Sequence, residues 1–414
     1  MKRRVVVTGL GVISPVGNDV ASTWDALLAG TSGAGPITQF DASSFPVRFA
    51  CEVKGFDPLQ YMDRKEAKRS DLYTQYAIAA SVQAMKDAGL AEGSGFDPYE
   101  TGVIIGSGIG GLKIFEEQHD VYRSLGPSKI SPFFIPMFIS NIAAGIVSMR
   151  FGLKGPNFAT VSACSTSGHS IGEAYRTIQY GDAEIMVAGG AEATITPMAI
   201  GGFANMKALS ERNDDPKGAS RPFDKDRDGF VAGEGSGMVI LEELEHARRR
   251  GARIHGEIVG YGATGDAYHL TATAPEGEGA QRAMRRAVKD AGVDVSRVHY
   301  INAHGTSTPQ GDPNEIRAIK HVFGDHAYEL NVSSTKSMTG HLLGAAGALE
   351  FIVALLAARD GVIPPTINQQ TPDPDCDLNV TPNTSVRREI DVALSNVFGF
   401  GGHNVSLAVR RYAE

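Results

Sequence analysis

One of the chain's three cysteines stands where a thiol can do chemistry. Cys164 follows the apolar stretch 158–161 and precedes Ser165-Thr166-Ser167-Gly168, which opens a helical pattern. The spacing therefore puts it on a strand-to-helix turn. Unpaired N–H groups and the dipole at a helix start favour thiolate over thiol. The same turn offers backbone N–H groups to an oxyanion. Cys51 and Cys376 have no polar constellation around them and read as small buried hydrophobes. A thiol nucleophile needs a partner that accepts or holds a proton. Of 11 histidines, two sit in Gly/Thr-rich loops beside predicted element ends. They are His304 in Asn302-Ala303-His304-Gly305-Thr306-Ser307-Thr308-Pro309, and His341 in Lys336-Ser337-Met338-Thr339-Gly340-His341. A thiol on such a turn with two imidazoles is equipment for covalent acyl transfer.

The elements that must position these groups alternate. Residues 4–8, 102–105, 158–161, 185–188 and 237–241 read as strands, most of them buried. Residues 71–88, 168–180 and 242–250 read as helices. The alternation predicts an α/β fold. The second half also echoes the first in the same order. The stretch 256–262 resembles the opening strand, 300–305 resembles 103–108, 330–334 resembles 159–163, and 404–409 resembles 237–241. This duplication predicts two halves, 1–250 and 251–414, with an insert at 111–156 in the first. It places His341 at the turn equivalent to that of Cys164 and aligns Lys336 with Cys164 itself. The insert contains the apolar segment Lys129-Ile130-Ser131-Pro132-Phe133-Phe134-Ile135-Pro136. Apolar insertions of this kind cover a site or build a subunit contact.

The 414 residues carry a formal net charge of −8, with 42% hydrophobic and 21% charged residues. That is an ordinary globular balance, and it weighs against nucleic-acid binding. With no CxxC, neither a zinc site nor a disulfide framework is expected. The longest apolar run, 351–358, is too short for a membrane span, so a cytoplasmic enzyme with no membrane partner is expected. One basic cluster, Arg64, Lys65, Lys68 and Arg69, stands out against the acidic background.

Four motifs in consistent order resemble the β-ketoacyl-[acyl-carrier-protein] synthases of the thiolase superfamily. They are Ala163-Cys164-Ser165-Thr166-Ser167-Gly168, His304-Gly305-Thr306-Ser307-Thr308-Pro309, Lys336-Ser337-Met338-Thr339-Gly340-His341 and Asn396-Val397-Phe398-Gly399-Phe400-Gly401-Gly402. Within the family the chain is most similar to the synthase II branch, through Ser107-Gly108-Ile109-Gly110-Gly111-Leu112, residues 129–134 and Asp266-Ala267-Tyr268-His269. The resemblance implies a five-layer α/β/α/β/α fold of two similar halves, and a homodimer. It implies a decarboxylating condensation that lengthens an acyl chain on Cys164 by two carbons, with both substrates carried on the phosphopantetheine of acyl-carrier protein. A ketosynthase of a dissociated polyketide or other specialised pathway is the alternative. A chain-length factor would lack the cysteine, and a thiolase would use a second cysteine as base.

The same resemblance assigns roles. The oxyanion rests on the N–H groups of Cys164 and Phe400. His304 and His341, as neutral imidazoles, hydrogen-bond the enolate formed on loss of carbon dioxide. Lys336 is a buried charge near Glu350 that tunes the histidines. Thr306 and Thr308 hold the phosphopantetheine arm, Phe400 is a gate, and Ile109, Phe134 and Phe203 line the acyl tunnel. Arg64, Lys65, Lys68 and Arg69, with Lys207, form the docking patch for the acidic carrier. No catalytic metal or organic cofactor is implied, but a structural Na+ or K+ at Asn302, Glu350 and Asn396 is. The chain departs from the commonest pattern at His403 and Gln310.

Overall fold

The computed structural model describes residues 2–90 and 94–413. Its main sheet has ten strands: β1 (Val5–Ile13), β2 (Thr101–Gly106), β3 (Asn157–Phe158), β4 (Ile185–Glu192), β5 (Gly235–Glu243), β6 (Gly256–Gly265), β7 (Val298–Asn302), β8 (Asn331–Ser333), β9 (Val392–Gly399) and β10 (His403–Arg410). The spatial order is β8-β7-β9-β10-β6-β1-β5-β4-β2-β3. Read outward from the centre, the two sides match strand for strand. β1, β5, β4, β2 and β3 correspond to β6, β10, β9, β7 and β8, with the same parallel and antiparallel pairings. The halves join where Val5, Val6 and Val7 pair antiparallel with Ile258, Glu257 and Gly256.

Nine helices matter for the site and its surroundings: α1 (Leu72–Asp87), α2 (Leu112–Leu125), α3 (Phe134–Phe138), α4 (Ile142–Phe151), α5 (Thr166–Tyr180), α6 (Pro197–Asn205), α7 (Glu278–Ala291), α8 (Gly311–Phe323) and α9 (Ala346–Asp360). α5 and α9 form the middle layer between the two half-sheets. Every residue of α9 from Ala346 to Ala358 is buried, as expected of a helix that is apolar all round. Its Phe351 and Leu355 pack with Val5 and Val7 of β1, Val239 of β5 and Leu407 of β10. The opposite sheet faces are covered by α1, against Val103, Ile105 and Val187, and by α7, against Ile301 and Leu394. Strands covered on both faces become continuous apolar runs, which is why they read so plainly. The result is the five-layer, two-halved architecture.

Three details differ from the sequence expectation. The strand at 158–161 shrinks to two residues at the outer edge of the sheet, with Phe158 45% and Val161 60% exposed. The helix expected over 242–250 is only Leu244–Arg249, because β5 continues through Glu243. Glu242 stays in the strand, where Arg250, His246 and Thr8 bind its carboxylate.

The third concerns the repeat register. The turn Ala163–Ser165 leads into α5, and the turn Leu343–Ala345 leads into α9. Both turns open on a non-glycine residue at positive φ, Ala163 at 50° and Leu343 at 46°. Both helices run 15 residues and end at a left-handed glycine, Gly181 and Gly361. The position equivalent to Cys164 is therefore Gly344, not Lys336. His341 lies three residues earlier, in the segment that enters the turn.

Candidate active site

Cys164 lies at the N-terminal end of α5, under the β9–β10 hairpin. Its turn is tied there by Ser165, whose hydroxyl donates to the carbonyls of Val397 (3.1 Å) and His403 (2.8 Å). The hairpin can come this close because residue 399 is glycine. A Cβ at Gly399 would stand 2.8 Å from the Ser162 carbonyl oxygen and 3.1 Å from the backbone nitrogen of Cys164. The N–H groups of Phe400 and of Cys164 itself reach the sulfur.

The second half supplies the imidazoles. His341 enters on a short parallel bridge to Ala232, its N–H donating to the Val231 carbonyl (2.8 Å). Its Nε2 lies 3.0 Å from Cys164 Sγ. His304 follows β7, and the two imidazoles meet edge to face at 5.3 Å between ring centres. Sulfur and both imidazoles offer atoms that all lie within 4.8 Å of one another. Phe230 packs on His341 and Phe398 on His304.

The electrostatics differ from the sequence expectation in one respect. Burial pushes the Cys164 thiol up to about 12, against the pull of the Lys336 ammonium and the two N–H groups. The helix start favours thiolate, as expected, but desolvation outweighs it. Burial, and then the Lys336 charge, hold both histidines well below the usual imidazole range. The resting site is a thiol with two neutral imidazoles, and the Sγ–Nε2 contact is one hydrogen bond between uncharged partners.

Lys336 and Glu350 form an ion pair with both side chains 2% exposed or less. Burial pushes Glu350 up to about 7. Two further carboxylates, not singled out from the sequence, hold the His304 loop from beneath. Glu315 of α8 accepts from the N–H groups of His304 (2.9 Å) and Gly305 (2.8 Å). Asp312 accepts from those of Ser307 (3.1 Å) and Phe223 (2.9 Å), and burial pushes it up to about 7. A third, Glu192 at the end of β4, lies under the opposite wall. The only sequence signal for Glu192 was an acid between two alanines, a pattern that exposed helices share.

A cavity of about 620 Å³ opens over the thiol. Cys164, His304, His341 and Phe400 line it, with Ile109 and Phe203 on one side and Thr306 and Thr308 on another. The two threonine hydroxyls lie 3.1 Å apart. Lys207 also borders the cavity and pairs with Glu211 at 3.0 Å. Phe134 does not line it; its ring packs with Phe115 and Phe138 in the insert. Arg64, Lys65, Lys68 and Arg69 are exposed on and just after a short helix, Arg64–Ala67, away from the cavity lining. Arg69 stacks 4.2 Å above the Phe133 ring.

The family model described as the β-ketoacyl synthase N-terminal domain matches residues 2–247, and that of the C-terminal domain matches residues 255–370. The chain belongs to the β-ketoacyl synthase family. It is 56% identical, over 99% of both chains, to the 3-oxoacyl-[acyl-carrier-protein] synthase 2 of Synechocystis sp.. Among solved structures it resembles the ishigamide ketosynthase/chain length factor, with a TM-score of 0.94 at 36% identity and full coverage of both chains. It also resembles a ketosynthase solved with its type II PKS acyl-carrier protein and bound to the hexaketide, with a TM-score of 0.91 at 36% identity and full coverage of both chains.

Proposed function

We propose that this ketosynthase elongates fatty acyl chains by a decarboxylating condensation in which Cys164 holds the growing chain. The observation that carries the reading is the convergence of Cys164, His304 and His341, one group from the first half and two from the second, at the floor of one cavity. The thiol passes its proton to His341 as sulfur attacks the acyl thioester. The tetrahedral oxyanion rests on the N–H groups of Cys164 and Phe400. The departing carrier thiolate takes that proton and leaves as thiol. Malonyl thioester then enters and loses carbon dioxide, and the electron pair of the broken C–C bond becomes an enolate. His304 and His341 donate hydrogen bonds to its oxygen. They suit this task because they are neutral, with no charge to attract the malonyl carboxylate and oppose its loss. The enolate carbon attacks the acyl-cysteine, the C–S bond breaks, the departing Cys164 thiolate takes up a proton from solvent to restore the thiol, and a 3-oxoacyl thioester two carbons longer is released.

The remaining roles belong to the same reading. Thr306 and Thr308 bind the phosphopantetheine arm of acyl-carrier protein, and the ketosynthase solved with its own carrier supports that class of partner. Arg64, Lys65, Lys68, Arg69 and Lys207 offer the positive charge an acidic carrier needs, raising encounter rate more than final affinity. Phe400 gates the cavity from its hairpin, and Ile109 and Phe203 line the acyl chain's path. The two halves divide at residue 250. Asn302 Oδ1, Asn396 Oδ1 and Glu350 Oε2 are buried without a hydrogen-bond partner among the described residues. Unpartnered buried oxygens are costly. Three of them, one a carboxylate, fit a structural Na+ or K+. The edge strand β3 and the exposed apolar side chains of the insert, Phe133, Ile135 and Met149, form a face that a second copy of the chain would cover in a homodimer.

The experiment is acylation and condensation with purified carriers. Cys164→Ala abolishes acyl-enzyme formation, and His341→Asn acylates more slowly, for want of its proton acceptor, and loses malonyl decarboxylation. Condensation by Cys164→Ala at the parent rate would end the proposal. Saturated acyl carriers are expected to outperform polyketide intermediates; the reverse preference would favour the specialised-pathway reading.

A further inference from the structure

The duplication gives the site a counterpart in which the same backbone serves a different end. β4 and β9 have eight residues each, and each ends against the first residue of its antiparallel partner: Glu192 pairs with Gly235, and Gly399 with His403. Glu192 is therefore the equivalent of Gly399, just as Gly344 is the equivalent of Cys164. At position 399 the absence of a side chain leaves the Cys164 N–H open to an oxyanion. At position 192 there is a side chain, and it does what an oxyanion would do. The Glu192 carboxylate accepts from the N–H of Gly344 at 2.9 Å. It also accepts from the N–H groups of Gly108 (2.8 Å) and Ile109 (3.2 Å) and from the Ser107 hydroxyl (2.8 Å). Glu192 is fully buried. Its neighbours are shaped around it: a Cβ at Gly108 would stand 2.8 Å from Oε2, and one at Gly344 2.5 Å.

We propose that Glu192 is a positioning residue, an internal acceptor that occupies the duplicate copy of the oxyanion pocket and sets the wall of the acyl tunnel. The N–H groups it binds belong to the two segments that carry Ile109 and Leu343, which line the cavity beside Cys164. This rests on the reading of Cys164 as acyl acceptor and of that wall as the chain's path. Each carboxylate oxygen serves two donors: Oε1 those of Ser107 and Ile109, Oε2 those of Gly108 and Gly344. Glu192→Gln turns one oxygen into an NH2 group facing two donors. Leaving buried donors unpaired is costly, so the segments must shift.

The test is the rate of Cys164 acylation, followed by intact-protein mass, with short and long saturated acyl-carrier substrates. In Glu192→Gln the long-to-short ratio of kcat/KM falls by about tenfold, the equivalent of one such unpaired donor. Ser107→Ala removes one of the four bonds and moves the ratio the same way by about threefold. A general loss of stability would lower both rates together. Equal falls, or an unchanged ratio in the folded variants, would overturn the proposal. If Glu192→Gln does not fold, Ser107→Ala reads the same ratio. Absence of acyl-Cys164 in the parent enzyme would instead sink the reading on which the proposal stands.

Discussion

Replacing Lys336 separates two effects that one buried charge combines. Lys336→Met leaves Glu350 without its cation in a site where both side chains are at most 2% exposed. Breaking such a pair from one side costs about 3–5 kcal/mol. Burial already raises Glu350 to about 7 against the pull of Lys336; without that cation it rises further, takes up a proton, and part of that cost disappears. Lys336→Met/Glu350→Gln removes the orphan charge and restores most of the stability. The electrostatic effect on the thiol remains. Lys336 is the first of the influences that lower the Cys164 pKa, and it also depresses both histidines. Without it the thiol rises further and the imidazoles move up toward 6.5. A rise of one unit is about 1.4 kcal/mol, or about tenfold less thiolate at any pH below the pKa. The assay is alkylation of Cys164 by iodoacetamide, resolved by peptide mass from pH 6 to 10. In the parent, the rate climbs with pH throughout, because the thiol titrates above the range. In the double variant, the rate at each pH is about tenfold lower while the melting temperature stays near that of the parent. Alkylation of the double variant at the parent rate would refute the reasoning about Lys336. A plateau in the parent below pH 8 would refute the neutral resting thiol.

Other measurements probe the frame around the site. Glu234 accepts three hydrogen bonds on Oε1 while Oε2 has no partner among the described residues, so Glu234→Gln imitates its protonated form. Burial raises Glu234 from 4.5 to about 7, so the folded state holds this proton while the unfolded state releases it; its stabilising contribution is present below pH 4.5 and is lost as the pH rises through 7. Relative to the parent, Glu234→Gln should gain on the order of 3 kcal/mol between those limits and level off above, as read by denaturation at several pH values; a difference independent of pH would contradict it. Replacing choline by Na+ or K+ at constant ionic strength should raise the melting temperature of the parent, and Asn396→Leu should remove the response. Phe158→Glu on the exposed edge strand should shift the sedimenting mass from dimer to monomer, whereas an unchanged mass would leave that edge without its assigned partner.

What the sequence disclosed depended on whether the cause was local. Apolar strands buried on both faces announced themselves, and the order of the echoes between the halves agreed with the strand correspondence of the sheet. The register of the echo at the nucleophile did not. Short apolar segments followed by polar turns match at several offsets, so Lys336 could be set against Cys164. The markers that fix the register are backbone angles at Ala163 and Leu343, which no residue type at those positions betrays. The acidity of Cys164 was half legible. The helix start is local and its sign is right, but the larger influence is the burial of the sulfur by residues distant in sequence, from Phe49 to Val397. Glu192 was illegible for the same reason, since it acts on N–H groups far along the chain.

The difference between the two halves follows from these positions. Their backbones present the same turn at the same point, each with an N–H free to bind an anion. In one pocket the first half's turn carries cysteine and the second half's facing strand end carries Gly399, and the pocket stays open to substrate. In the other the second half's turn carries Gly344 and the first half's strand end carries Glu192, and the pocket is filled from within. The duplicated fold thus supplies two anion pockets, and the side chain at the facing strand end decides which one is left for chemistry. The filled pocket still serves the reaction, because the segments it holds in place carry the wall beside the nucleophile.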